Sequence, residues 1–487
     1  MVEGLKDKTI KGLLWSFLEK FSLQIIQFII GIVMARFLLP SDYGLIAMLA
    51  IFLGISQIFI DGGFTAALIQ KRTRTEIDFS TVYYFNIIVS FIFYGILFFI
   101  APYISSFYNL PELTIITRVI SLNLVIASFS AVAQTKLTIE VDFKTLAKVS
   151  LSSVIISGSV GVFMALNNYG VWALITQSVL NTLLNTLIIF YFVRWRPIFV
   201  FSIDSFKSLF PFGSRLLISQ LIGSIYVNLY SLVIGKKFSS EDLGFYSRAD
   251  TFSQFPTTSI TVILSRVTFP ILSSISNDND SLKNVYKKYL QFTGYLVFPI
   301  MFLIIGIANP LIEILLTDKW LDIVILLQIL CLGYIWDPIG SLNLNLLYVT
   351  GNSKLILKLE ILKKTIGIFI LIISIPFGLT SIAIGRALYA FIAVYINSYY
   401  SGKFINFNFL TQIKLVLPYY LLALSMGALV YFLTFFISGI IFKLVFGIIF
   451  GVGYYISVSY FLKFEPLLSL IDNLTKMYHQ KKLFKQK

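Results

Sequence analysis

The chain has 487 residues, of which 57% are hydrophobic, 16% aromatic and only 13% charged, and its mean hydropathy is +0.88. Water-soluble domains carry about 45–50% apolar and about 25% charged residues, so this composition excludes a soluble protein built around one core. The net charge of +15 does not point to nucleic acid, because the Lys and Arg sit in short loops between apolar runs and form no basic, aromatic-interleaved module.

Apolar runs long enough to cross the hydrocarbon core follow one another along the chain. They fall approximately at 13–36, 43–68, 80–102, 112–134, 146–166, 169–193, 209–234, 244–269, 289–308, 323–349, 355–376, 378–400, 413–435 and 438–462. The expected fold is therefore all-α integral membrane, with about 14 transmembrane helices of about 20 residues. Helices are required because a lone span must satisfy its own backbone hydrogen bonds. The first run, residues 13–39, is too long for a signal-peptide core and has no clean cleavage site, so it reads as an uncleaved span.

Loop charge orients the spans. With the N-terminus in the cytoplasm, the returning loops carry Lys71, Arg72 and Arg74, then Lys136, Lys144 and Lys148, then Arg194, Arg196 and Lys207. Lys283, Lys287 and Lys288 follow, then Lys354 and Lys358, then Lys403 and Lys414, and the tail adds Lys476, Lys481, Lys482, Lys485 and Lys487. The opposite loops 101–111 and 167–170 have no Lys or Arg, with Arg36, Lys236, Lys237, Lys319 and Lys443 as the exceptions. This asymmetry predicts an even number of spans with both termini cytoplasmic.

A repeat is also visible. Arg36, Asp42 and Gly44 match Lys236, Asp242 and Gly244; Ala101-Pro102 matches Asn309-Pro310; Tyr169-Gly170 matches Phe377-Gly378. The unit is six spans used twice, which gives both halves the same orientation about an axis along the membrane normal. The expected domains are 1–205 and 206–405, each a six-helix bundle, and 406–487, two further helices with a basic tail.

Cys331 is the only cysteine and His479 the only histidine, so an internal disulfide is impossible and His/Cys metal clusters are excluded. The sequence has no G-x-x-x-x-G-K-[ST] loop, G-x-S-x-G motif or paired His. No enzyme activity, cofactor or metal is therefore expected, and ATP is not expected to be used directly.

Three stretches carry a family resemblance: 11–44 (KGLLWSFLEKFSLQIIQFIIGIVMARFLLPSDYG), 61–70 (DGGFTAALIQ), and 210–270 with FGSRLLISQ, NLYSLVIGKKFSSEDLGFYSRA and ILSRVTFPIL. They resemble the polysaccharide-transporter branch of the multidrug/oligosaccharidyl-lipid/polysaccharide exporter superfamily, the Wzx-like flippases of O-antigen, capsule and exopolysaccharide pathways. The resemblance implies a bacterial inner-membrane protein whose two bundles flank a cavity. It implies a polyprenyl-diphosphate-linked oligosaccharide as substrate, alternating access as mechanism, and membrane lipids, a polysaccharide polymerase and export machinery as partners. A monomer is expected, since the cavity forms within one chain. The alternatives are a multidrug antiporter of the same superfamily, which should favour acidic cavity residues, and a membrane-bound polysaccharide enzyme, which should show a large outer loop or a His-based site.

Such a substrate needs cations for its diphosphate and polar side chains for its sugars. Charges inside a membrane are costly and are functional candidates by default. Arg215, in the FGS-basic-LL context that family members share, is placed to capture the diphosphate or else snorkels to the headgroups. Arg248 and Asp250, near the outer end of their span, can pair with each other or with the other half, and Arg266 lies one turn from its other end; both arginines are candidates for binding the substrate, against the readings of an interfacial ion pair and of positive-inside topology. With Ser253, Gln254, Thr257, Thr258 and Thr261 they make this the most polar helix, one that should face protein or water. Arg118 and Arg386 enter from the outer side as further cavity candidates for binding the substrate, and Arg386, roughly 12 Å deep, is too deep for easy snorkelling. Lys20, Gln24 and Gln27 share one helix face, lining the cavity or joining helices, with Glu19 beside Lys20. Asp61 before Gly62-Gly63, Asp337 before Pro338, and Asp250 are candidates for Na⁺ or H⁺ coupling, against the bland reading of helix-break or ion-pair partners.

Overall fold

The structure, a computed structural model, describes residues 2–61, 63–276, 278–349, 351–472 and 475–476. His479 and the tail lysines from Lys481 onward lie outside the described residues, as does the side chain of Asp61. All regular elements among the described residues are helices. In chain order they are α1 Val2–Phe37, α2 Pro40–Asp61, α3 Phe64–Gln70, α4 Glu76–Tyr108, α5 Leu113–Ile120, α6 Leu122–Ile139, α7 Phe143–Leu166, α8 Val171–Phe192 and α9 Ile203–Lys237. Then come α10 Ser240–Ser274, α11 Asn279–Gly306, α12 Ala308–Leu316, α13 Ile323–Tyr334, α14 Asp337–Val349, α15 Ser353–Ser374, α16 Leu379–Phe404, α17 Phe409–Phe435 and α18 Ile440–Phe461.

Among the described residues, 13 helical stretches are long and apolar enough to cross a membrane. The span expected at 355–376 falls on α15, which is not among them. Its first half carries Lys354, Lys358, Glu360, Lys363 and Lys364. The Lys363 side chain is nonetheless buried and pairs with Glu360, so protein rather than lipid satisfies its charge.

By contacts the chain divides into two compact units, Met1–Ser247 and Arg248–Lys487. The boundary expected from the repeat lies at 205/206. The contact boundary comes later because α9 packs on α2, α3 and α4.

In the first unit, α1 packs on α7 and α7 on α8. The start of α9 is fixed to α3 and α4 by aromatic stacking and by one buried carboxylate. Phe64 lies 5.2 Å from Phe206 and 4.5 Å from Phe85, centroid to centroid. Asp78, fully buried, closes a capping box with Thr75, accepts from Ser205 Oγ at 2.7 Å and pairs with Lys71 Nζ at 2.7 Å. Gly63 holds φ +67 at the break between α2 and α3, and a Cβ there would lie 2.3 Å from the Gly213 carbonyl oxygen; only glycine meets both demands.

Two turns of this unit share one geometry. Asp42 Oδ2 accepts the Leu39 N–H at 2.8 Å, and Asp242 Oδ2 accepts the Ser239 N–H at 3.1 Å. The turns also approach each other reciprocally. A Cβ on Gly44 would lie 1.7 Å from the Ser240 carbonyl oxygen, and one on Gly244 would lie 1.8 Å from that of Pro40.

In the second unit α11 runs along α17, α13 and α15 pack on α16, and α18 covers α17. A buried polar knot joins α11, α14, α16 and α17. The Tyr286 hydroxyl lies 2.9 Å from Asn343 Oδ1 and 3.1 Å from Gln412 Oε1, and Ser401 Oγ donates to the same Asn343 oxygen. Tyr420 of α17 stacks on Trp336 at 5.7 Å. The penultimate long helix is thus part of this unit's core.

Gly44→Val and Gly244→Val should each lower the thermal unfolding midpoint of the purified protein, at about 1–3 kcal/mol for overpacking. Gly95→Val, where a Cβ meets nothing within 4 Å, is the control. Equal midpoints in all three variants would contradict the close approach.

Candidate functional site

The second unit gathers side chains from α10, α13, α14, α15 and α16 into one charged cluster. Helix α10 supplies Asp250 and Gln254, four residues apart and so on one face. Pro338 breaks the next span. It lacks the N–H that would bond the Tyr334 carbonyl four residues back, and its ring crowds that turn, so α13 ends at Tyr334 and α14 begins at Asp337. Trp336, in the break, is packed between Phe298, Phe391 and Tyr420 at 5.4–5.9 Å. That packing fixes Tyr334 and Asp337 on either side of the interruption.

Tyr334 is the hub. Its hydroxyl donates to Asp250 Oδ1 at 2.5 Å and accepts from Gln254 Nε2 at 2.6 Å. Gln254 Nε2 also lies 3.4 Å from Asp250 Oδ2. Arg386 of α16 donates through Nη2 to the same hydroxyl at 3.4 Å, with its guanidinium 5.1 Å from the Tyr334 ring centroid and 5.5 Å from that of Tyr389. Arg386 interacts electrostatically with both Asp250 and Asp337, and Lys363 of α15 also acts on Asp337. Tyr334 is 3% exposed, whereas Asp250, Asp337, Gln254 and Arg386 are half-buried. A hydrogen-bonded chain of this kind satisfies charges that hydrocarbon would not.

The seam between α10 and α14 continues away from the cluster. Ser265 Oγ lies 3.4 Å from Ser341 Oγ, and Asn345 Nδ2 donates to Ser265 Oγ at 3.3 Å and to Thr268 Oγ1 at 3.4 Å. Ser253 and Thr257 are fully buried. The polar face of α10 is turned towards protein.

Thus three residues nominated separately from the sequence, Asp250, Asp337 and Arg386, come together. The others do not join them. Arg248 is half-buried and has interactions of its own. Arg266 is half-buried near the far end of α10. In the first unit, Arg118 Nε donates to the Phe98 carbonyl at 3.3 Å and its guanidinium covers the Phe98 ring at 4.2 Å, a helix-to-helix contact. Lys20 and Gln27 of α1 are exposed and Gln24 is half-buried. Arg215 of α9 is exposed and has no hydrogen-bond or ion-pair partner among the described residues.

The first unit also holds a polar cavity of about 370 Å³ between α3, α6 and α9, lined by Thr65, Gln134, Thr135, Thr138 and Gln220. Gln134 is oriented there by hydrogen bonds to Asn185 at 3.0 Å and Ser130 at 3.2 Å. Sequence reasoning missed this cavity together with Tyr334, Glu360 and Lys363. The cavity leaves one trace in the sequence: the polar i, i+1, i+4 run Gln134, Thr135 and Thr138 signals a span that is not wholly lipid-facing.

Residues 33–325 match the family described as polysaccharide biosynthesis protein. The chain belongs to that family. The teichuronic acid biosynthesis protein TuaB of Bacillus subtilis (strain 168) is 26% identical over 357 residues, spanning 72% of this chain and 73% of TuaB. The lipopolysaccharide biosynthesis protein WzxC of Escherichia coli (strain K12) is 25% identical over 349 residues, 70% of each chain. Among solved structures, the lipid II flippase MurJ in an inward closed conformation matches with a TM-score of 0.75 at 17% identity, over 93% of this chain and 99% of that one. An inward-facing multidrug resistance MATE family transporter matches at a TM-score of 0.63 and 16% identity, over 80% and 98%. The fold is shared with these two proteins.

Asp250→Asn and Arg386→Gln should each lower the thermal midpoint of the purified protein, because each leaves an opposite charge uncompensated. The double variant should lose less than the sum, with a coupling of about 0.5–3 kcal/mol. Strictly additive losses would contradict the cluster as drawn.

Proposed function

We propose that the protein is a flippase that carries a polyprenyl-diphosphate-linked oligosaccharide across the bacterial inner membrane, by alternating access, for surface polysaccharide synthesis. The observation that carries this reading is membership of the polysaccharide biosynthesis family on a fold shared with a lipid II flippase. Both termini lie in the cytoplasm in this reading, which rests on the loop lysines and arginines. The protein acts as a monomer beside a polysaccharide polymerase and export machinery.

Three parts of the proposed task fall to different residues. Arg215, exposed and unpaired among the described residues, presents a planar fork that suits a diphosphate. The amides and hydroxyls of Thr65, Gln134, Thr138 and Gln220 offer a sugar the hydrogen bonds that hydrocarbon denies it. Asp250, Asp337 and Arg386 serve coupling: H⁺ or Na⁺ arriving at the carboxylates weakens their hold on Arg386 and on Tyr334, and so loosens α10 from α13 and α16. A multidrug antiporter is the second reading, favoured by the likeness to the MATE family transporter. The unpaired arginine argues against organic cations as cargo.

Deleting the protein should strand the oligosaccharide-lipid in the inner leaflet, seen as loss of surface polysaccharide with accumulation of the lipid-linked unit. Arg215→Ala should impair export more than Arg215→Lys at equal expression. Intact surface polysaccharide in the deletion, with no paralogue substituting, would reject the flippase reading; equal export in both variants would return Arg215 to a topology role.

A further inference from the structure

A second polar cavity lies apart from the charged cluster, at one end of the second unit. It measures about 570 Å³ and is lined by Lys283 and Lys287 from the start of α11, Lys403 from the last turn of α16, and Tyr399, Phe407 and Thr411. No Asp or Glu lines it. The three ammonium groups are held in place without being neutralised. Lys283 Nζ donates to the Asn406 carbonyl at 2.9 Å. Lys287 Nζ lies 5.4 Å from the Phe407 ring centroid, and Lys403 Nζ lies 4.5 Å from that of Tyr399. The ion pairs found among the described residues involve none of the three.

Three like charges around one concavity repel, and a carbonyl or a ring face offsets only part of that cost. The start of α17, a 27-residue helix capped by Asn408, adds the positive end of its dipole to the same place. An anion relieves all of these terms together. The chemistry that fits is a phosphate, whose oxygens can bridge separate ammonium groups.

The position selects the source of that phosphate. The cavity sits at the ends of long apolar helices, where headgroups lie. Beside it are side chains that water does not favour: Leu410 is 67% exposed, Tyr395 46% and Tyr399 44%. Tyr395 packs edge-on against Phe409 at 4.9 Å, in the manner of an interfacial aromatic belt. We propose that the cavity between α11, α16 and α17 binds the phosphate headgroup of an anionic phospholipid, with the exposed aromatic and apolar side chains along its acyl chains. Basic pockets between helix ends on the cytoplasmic side are suited to such headgroups, and these lysines are among those that loop charge assigns to that side. The site stands on α11, α16 and α17 alone and does not depend on the transported substrate.

Native mass spectrometry of the detergent-purified full chain tests it, with phosphatidylglycerol, phosphatidylcholine and inorganic phosphate as probes. Phosphatidylglycerol should be retained in preference to phosphatidylcholine, and the triple variant Lys283→Gln, Lys287→Gln, Lys403→Gln should weaken that retention about tenfold or more. The triple variant Lys288→Gln, Lys354→Gln, Lys358→Gln removes the same charge from exposed positions outside the cavity and should keep it. Should the first triple variant not fold, Lys403→Gln alone, at an exposed side chain, should still lower retention measurably. Equal retention of both lipids, or equal loss in the two triple variants, would overturn the proposal. Occupancy by inorganic phosphate that displaces phosphatidylglycerol would assign the cavity to a free anion instead.

Discussion

Hydrocarbon gives a polar side chain nothing to bond to, and this constraint organises the second unit. A carboxylate or guanidinium near the middle of a span costs at least about 2.5–3.5 kcal/mol unless the protein supplies partners. Asp250 and Arg386 are kept because Tyr334 and Gln254 bind them into one network, and Asp337 is kept by the nearby charges of Arg386 and Lys363. Removing any one member leaves the others exposed to the same penalty. The contact of α10 with α13 is therefore tied to the charges of this cluster.

The backbone is shaped by the same rule. Irregular backbone at membrane depth is tolerated where it is buried in protein or lines a cavity. The break before Pro338 is wrapped by Trp336 and its aromatic neighbours. The break at Gly63 lies against Gly213 and opens onto the polar cavity of the first unit. Each interruption thus adjoins a place where polar groups gather, which links a local sequence feature to a proposed transport role.

Much of this is readable from residue types alone. Span positions follow from runs of apolar residues, and the breaks from Gly62-Gly63 and Pro338. Asp250, Asp337 and Arg386 stand out because charge is rare in such runs. Their convergence does not, since they lie on separate helices and residue types carry no record of which faces meet. Tyr334 is hidden because a tyrosine in an apolar stretch looks like any interfacial aromatic. Lys363 and Glu360 read as the charged start of a span, whereas the lysine is buried and paired. Arg118 reads as a cavity residue, but its guanidinium is spent on the Phe98 ring and carbonyl.

Movement of a lipid-linked oligosaccharide between leaflets is the property on which the proposed function stands. The most direct measurement reconstitutes the purified protein in liposomes bearing a fluorescent polyprenyl-diphosphate oligosaccharide and follows quenching by a membrane-impermeant reagent. The protein should render the inner-leaflet pool accessible, and Arg386→Gln should slow this at equal reconstitution. An inner-leaflet pool that stays as protected as in protein-free liposomes, under an imposed H⁺ or Na⁺ gradient of either sign, would contradict it.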